Sequence, residues 1–105
     1  MISRMRIIDP KEAKKLQADG ATIVDVREED ERALERIAGS VHVPMSQLPQ
    51  KIDTLRHVPM IIFQCATGGR SMVAAEFAQM QGLTNISDLG GGIEAWKEAG
   101  LPVER

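Results

Sequence analysis

Short apolar runs alternate along the chain with stretches whose apolar positions recur at helical spacing, and this alternation sets the expected element order. Met5 to Ile8 predicts a first strand. Asp9-Pro10-Lys11-Glu12 predicts a helix start: Asp9 caps, Pro10 takes the first helical position, and Glu12 falls three residues after the cap. Ala13, Leu16 and Gln17 share one face of that helix, and Gly20 stops it. Ala21 to Val26 is β-rich, and Glu28 to Arg36 is charged and helix-forming, as expected of a solvated helix face. Val41-His42-Val43 predicts a short strand closed by Pro44, with His42 turned away from the face of the two valines. Met45 to Leu55 reads as one or two short helices interrupted at Pro49.

Met60-Ile61-Ile62-Phe63-Gln64 is continuously apolar up to its last residue, the pattern of a strand buried on both faces. A helix is expected from about Ser71 to Gln81, with Val73, Phe77 and Met80 marking its inner face and Gly82 ending it. Ile86 to Leu89 is the last expected strand. Gly90-Gly91-Gly92 then turns the chain into a closing helix, Ile93 to Ala99, on which Trp96 is a packing residue. Strands alternating with helices predict an α/β fold: a three-layer α/β/α domain around a mainly parallel sheet of five strands.

Composition narrows the function classes. The 105 residues fit one domain spanning 1–105, with 43% hydrophobic and 27% charged residues. Phe63, Phe77 and Trp96 are the only aromatics, so Val, Ile, Leu, Met and Ala must build the core. Met5, Met45, Met60, Met72 and Met80 read as gap-fillers. A net charge of -2 argues against nucleic-acid binding, which needs a basic surface. The longest apolar run, Val58 to Phe63, is too short to span a membrane. Residues Met1 to Arg6 lack an apolar stretch of signal-peptide length, so a cytoplasmic location is expected. The one cysteine, Cys65, permits no internal disulfide and no paired-cysteine metal site.

Chemistry concentrates where the buried strand delivers the chain to Cys65-Ala66-Thr67-Gly68-Gly69-Arg70-Ser71. Two glycines let consecutive backbone N–H groups turn inward as an anion nest, and the following helix start adds unsatisfied donors. A thiol held there ionises more readily than a free one. Arg70 adds a fixed cation with a fork of donors near the end of the loop. A lone cysteine closing an apolar strand is, taken alone, an inert small hydrophobe. The glycines and the helix start are what turn the reading towards a nucleophile.

These segments resemble the rhodanese family over essentially the whole chain. Asp25-Val26-Arg27 resembles its "DVR" after the second strand, and Ile37-Ala38-Gly39-Ser40-Val41-His42-Val43-Pro44 its "HIPGAxxxP" segment. Cys65 to Arg70, followed by Ser71, resembles its six-residue active-site loop. Leu89-Gly90-Gly91-Gly92-Ile93-Glu94-Ala95-Trp96, then Ala99-Gly100-Leu101-Pro102-Val103, resembles its C-terminal signature. The resemblance implies a rhodanese-like fold and a sulfurtransferase in which Cys65 carries a persulfide. The N–H groups of Ala66 to Arg70 would cradle the outer sulfur, and Asp25 and Arg27 would organise the fold around the loop. No cofactor or metal is implied. Glu35-Arg36 stand where the family often has Gly-His, in a segment that walls the site, so Arg36 is carried as a supporting residue. Ala38 replaces a frequent proline.

The implied donor is a small anion such as thiosulfate. Arg70 is the only basic residue of the loop, which points to modest thiosulfate use. Without a second cysteine the sulfur must leave to an external acceptor: cyanide, a small thiol or a protein thiol. A relay module that works only with a protein partner is therefore the alternative to a free-standing enzyme. A thiolate phosphatase fits less well, because Cys65 and Arg70 enclose four residues, one fewer than phosphatase loops use to encircle a tetrahedral oxyanion. No membrane or nucleic-acid partner is expected, and the chain is expected as a monomer or weak homodimer.

Overall fold

The computed structural model describes residues 5–105, so the reading of the N-terminal segment over residues 1–4 lies outside the described residues. Strand β1 (Arg6–Ile8) leads into helix α1 (Pro10–Ala18), where Asp9 caps as expected: its carboxylate accepts the Glu12 N–H at 2.8 Å. Strand β2 (Thr22–Asp25), helix α2 (Glu29–Leu34) and short strands β3 (Arg36–Ile37) and β4 (Val41–His42) follow. The Met45–Gln47 3₁₀ turn, helix α3 (Leu48–Lys51) and the Ile52–Leu55 3₁₀ turn then form one irregular helical stretch. Pro49 lies in the first turn of α3, where its missing N–H costs nothing, so it starts a helix and does not interrupt one. The chain continues through β5 (Ile61–Gln64), α4 (Gly69–Met80), β6 (Ile86–Leu89), α5 (Gly92–Glu98) and β7 (Val103–Glu104).

Five strands form one sheet in the order β1-β6-β5-β2-β4, and every pairing is parallel. The layering follows from the side-chain alternation of the central strands. Val24, Ile61 and Phe63 pack with Leu48, Ile52 and Leu55 and with Ala74, Ala75 and Ala78 of α4. Ile23 and Ile62 face the other way, against Ala13 of α1 and Ile93 and Trp96 of α5. Helices thus cover both faces, as the apolar run of β5 requires.

Two further expectations change. The charged stretch does not stay helical to Arg36: α2 ends at Leu34, and β3 pairs antiparallel with β7, placing Arg36 opposite Glu104 and Ile37 opposite Val103. This second sheet is stabilised by the burial of Ile37, which directly follows the stretch that reads as helix. The inner face of α4 is also not Val73, Phe77 and Met80. Val73 and Met80 are 54% and 84% exposed, and Phe77 is only partly buried. Ser71, Ala74, Ala75 and Ala78 face the sheet instead, because small side chains let the helix approach β5 and β6 closely. Met80 therefore fills no gap. Trp96 is fully buried, and its indole N–H donates to the Pro102 carbonyl at 2.9 Å, in keeping with a packing role.

Candidate active site

Cys65 follows β5, the middle strand of the sheet, at its carboxyl end. This is where an open parallel sheet leaves a crevice. Its neighbours there are the ends of β2 and β6, so Asp25-Val26-Arg27 and Leu89-Gly90-Gly91 are brought beside the loop by strand order alone. The Val26 N–H donates to the Gln64 carbonyl at 3.0 Å, tying the end of β2 to the last residue before the cysteine.

The loop closes on the sulfur. The Gly68 N–H donates to Sγ at 3.1 Å, and the Cys65 thiol lies 3.4 Å from the Ser71 hydroxyl oxygen. Gly68 holds φ at +121°, a conformation an L side chain rarely adopts, which aims its N–H inward. Cys65 is 1% exposed, and burial works against its ionisation. Hydrogen bonds from the Ser71 side chain and from the Ser71, Gly68 and Thr67 backbone outweigh that burial, so the thiol sits below its ordinary value. The structure places Ser71 beside the sulfur. Among the described residues, the loop N–H with a hydrogen bond to sulfur is that of Gly68.

Arg70 is at the loop but its fork is taken. Its two terminal nitrogens donate to the two Glu31 carboxylate oxygens of α2 at 2.8 Å each. The guanidinium holds the Glu31 carboxyl down at about 2. The cation still faces the thiolate electrostatically. The fork of donors expected near the end of the loop is engaged by Glu31.

Asp25 and Arg27 form a buried brace. The Asp25 carboxylate accepts from the Arg27 backbone N–H at 2.9 Å and from the Arg27 guanidinium at 3.0 Å. It also accepts from Arg32 at 3.2 Å. Arg27 donates onward to the Glu35 carbonyl, and Arg32 to Ser40. The Arg27 carbonyl can only accept, so His42 donates to it through Nε2 at 2.7 Å. Arg36 does not join the site. It pairs with Glu104 at 3.5 Å and donates to the Arg32 carbonyl, because the β3–β7 pairing carries it away.

Three residues were missed from sequence. Gly92 has φ +60°, and a Cβ there would lie 2.3 Å from the Cys65 carbonyl oxygen and 2.4 Å from that of Ala66. Its lack of a side chain lets the start of α5 donate from Ile93 N–H to the Cys65 carbonyl at 2.9 Å and from Glu94 N–H to that of Ala66 at 3.2 Å. Glu31 was one of many charges in its segment, with nothing local to single it out. Asp88 is 1% exposed in β6, and its Oδ1 has no hydrogen-bond partner; an aspartate inside a buried strand was the available signal. Among the described residues, no group of three or more His, Cys, Asp or Glu is gathered to hold a metal ion, and no helix is long and apolar enough to cross a membrane.

Comparison with known proteins agrees with this geometry. The rhodanese-like domain model matches residues 9–99. The thiosulfate sulfurtransferase GlpE of Ectopseudomonas mendocina is 32% identical over 99 residues, covering 91% of this chain and 88% of that protein. A crystal structure of a rhodanese-related protein from Thermoplasma volcanium superimposes with a TM-score of 0.85 at 37% identity, covering 94% of this chain and 97% of that one. A Rhodopseudomonas palustris protein of unknown function, described as a possible tyrosine phosphatase, gives a TM-score of 0.88 at 30% identity, covering 95% and 85%.

Proposed function

Since the chain belongs to the rhodanese-like domain family, we propose that it is a sulfurtransferase whose Cys65 thiolate carries sulfur as a persulfide. One observation carries the reading: the thiol lies at the end of the central strand, with the Gly68 N–H at 3.1 Å and the Ser71 hydroxyl at 3.4 Å from Sγ, and hydrogen bonding there lowers its pKa against burial. The thiolate attacks the outer sulfur of a donor such as thiosulfate. A new S–S bond forms, the donor's own S–S bond breaks, and sulfite leaves with the electron pair. The negative charge then rests on the outer sulfur, where inward N–H groups and the start of α4 stabilise it. An acceptor, cyanide or a thiol, next attacks that sulfur, and the electron pair returns to Sγ. The acceptor is external, since the chain has one cysteine. A persistent free thiolate suits a reducing, cytoplasmic setting.

A phosphatase reading is less well supported. The loop encloses four residues between Cys65 and Arg70. The fork that would clamp a phosphate is held by Glu31.

The test is intact-mass spectrometry after incubation with thiosulfate. The wild type should gain one sulfur atom, lose it to cyanide, and the Cys65→Ser variant should gain none. A wild type that takes up no sulfur from either thiosulfate or a persulfide donor overturns the proposal. Turnover with thiosulfate and cyanide supports a free-standing enzyme. Loading followed by transfer only to a protein thiol supports a relay module.

A further inference from the structure

Glu31 takes both ends of the Arg70 fork. Its Oε2 accepts from one terminal nitrogen and its Oε1 from the other, at 2.8 Å each. Oε2 also accepts the Glu28 N–H at 2.9 Å, which closes a capping box at the start of α2 and fixes the orientation of the carboxylate. The next residue, Arg32, ties the same helix to buried Asp25 and to Ser40. The carboxylate is therefore held in place independently of Arg70.

Arg70 stands in the chain between the two residues that touch the sulfur. The Gly68 N–H lies 3.1 Å from Sγ and the Ser71 hydroxyl 3.4 Å, and Arg70 shares the first turn of α4 with Ser71. The Arg70 and Glu31 side chains are 40% and 32% exposed, so ions from solvent can reach the pair. What an anion meets there is a cation already matched by a carboxylate, beside the exposed acids Glu28, Glu29 and Asp30. The other cations next to the loop are engaged too: Arg27 by Asp25 and the Glu35 carbonyl, Arg32 by Asp25 and Ser40.

We propose that Glu31 is a specificity-determining residue: by occupying the Arg70 fork it turns Cys65 away from dianionic donors such as thiosulfate and towards the persulfides of thiols. This rests on Cys65 being the sulfur-carrying nucleophile. The sulfonate end of thiosulfate needs a cationic partner at the loop, whereas the organic end of a persulfide needs none. The transfer step is the same for both. The Cys65 thiolate attacks the outer sulfur of the donor, the new S–S bond forms and the donor's S–S bond breaks. The electron pair leaves on sulfite in one case and on the donor's own thiolate sulfur in the other. Glu31 touches neither the donor nor Sγ; it acts by deciding whether Arg70 has donors to offer.

The ratio of Cys65 alkylation rates with iodoacetate, an anion, and iodoacetamide, a neutral reagent, reads anion access without any sulfur transfer. Both reagents attack the same thiolate, so the ratio cancels any change in the thiolate fraction. Glu31→Gln leaves one acceptor oxygen in place of two and removes the charge, so the Arg70 fork is released. The ratio should rise about tenfold, and the gain should shrink with added salt. In an Arg70→Ala background the same substitution should raise it about threefold or less, because there is no fork to release. Sulfur loading from thiosulfate should likewise speed up about tenfold in Glu31→Gln, while loading from the persulfide of mercaptoethanol stays within about twofold. Circular dichroism spectra matching the wild type confirm that the variants fold. An unchanged ratio overturns the proposal. So does an equal gain in the Arg70→Ala background, or a rise in loading that is the same for thiosulfate and persulfide. A wild type that takes sulfur from neither donor overturns the sulfurtransferase reading itself, and the alkylation ratios then report separately whether Glu31 governs the fork.

Discussion

Cys65 shows how the site depends on single residues. A thiol at 1% exposure is a poor nucleophile by burial alone, and only the local donors reverse that. Those donors stay in place because the loop carbonyls are held from behind by α5, across the gap left by Gly92. Gly92→Ala should therefore lower stability by about 2–3 kcal/mol, from backbone strain plus displacement of the loop, read as a fall in the urea midpoint at unchanged slope. The same variant should slow Cys65 alkylation even where it remains folded. Cys65 and Gly68 were legible in sequence because a strand end, a glycine loop and a helix start are neighbours along the chain. Asp88 was not, because its burial comes from β6 lying between β1 and β5 and packing against α4.

At the scale of elements, α4 carries the clearest lesson. Its larger apolar residues, Val73 and Met80, suggested one face, and the helix buries another. Close approach to a flat parallel sheet selects small residues, and Ala74, Ala75 and Ala78 are fully buried against β5 and β6. Ala78→Leu should thus overpack the interface and cost about 1–3 kcal/mol. Met80→Gln, on the solvent side, should stay within about 0.5 kcal/mol of the wild type. Thermal melts of the two variants check this; equal effects would mean that the helix face is assigned wrongly. The small β3–β7 sheet makes a related point. Hydrophobic pattern marks an element's inner face, but pairing between distant short strands leaves almost no local trace. Arg36 was accordingly placed in the site wall when its partner is Glu104.

For the molecule as a whole, two carboxyls tie stability to pH in opposite directions. Glu31 falls from 4.5 to about 2 on folding, so its contribution is fully present above about pH 4.5 and is lost as pH drops towards 2. Both partners are partly exposed, so this is worth no more than ~1 kcal/mol. Asp88 rises from 3.8 to about 6, so the folded state binds more protons than the unfolded one between those values. Stability should therefore fall by roughly 3 kcal/mol as pH rises through that window, then level off. Urea denaturation at pH 3, 4, 5 and 7 should show the fall in the wild type and lose it in Asp88→Asn. Glu31→Gln should remove only the acid-side loss. The buried Asp25–Arg27–Arg32 brace belongs to this scale too, for it joins β2, α2 and the Ser40 segment into one support beside the loop.

By itself the sequence singled out Cys65, the length and glycine content of its loop, the parallel α/β architecture and most element boundaries. Each depends on periodicity, capping or turn chemistry within a few neighbouring residues, so each is written locally. Tertiary structure alone decided that Arg70 is held by Glu31, that α4 buries its alanines, that Arg36 leaves the site, and that Asp88 is buried in β6. Each of those depends on which elements lie side by side, and that is set by packing the whole chain at once.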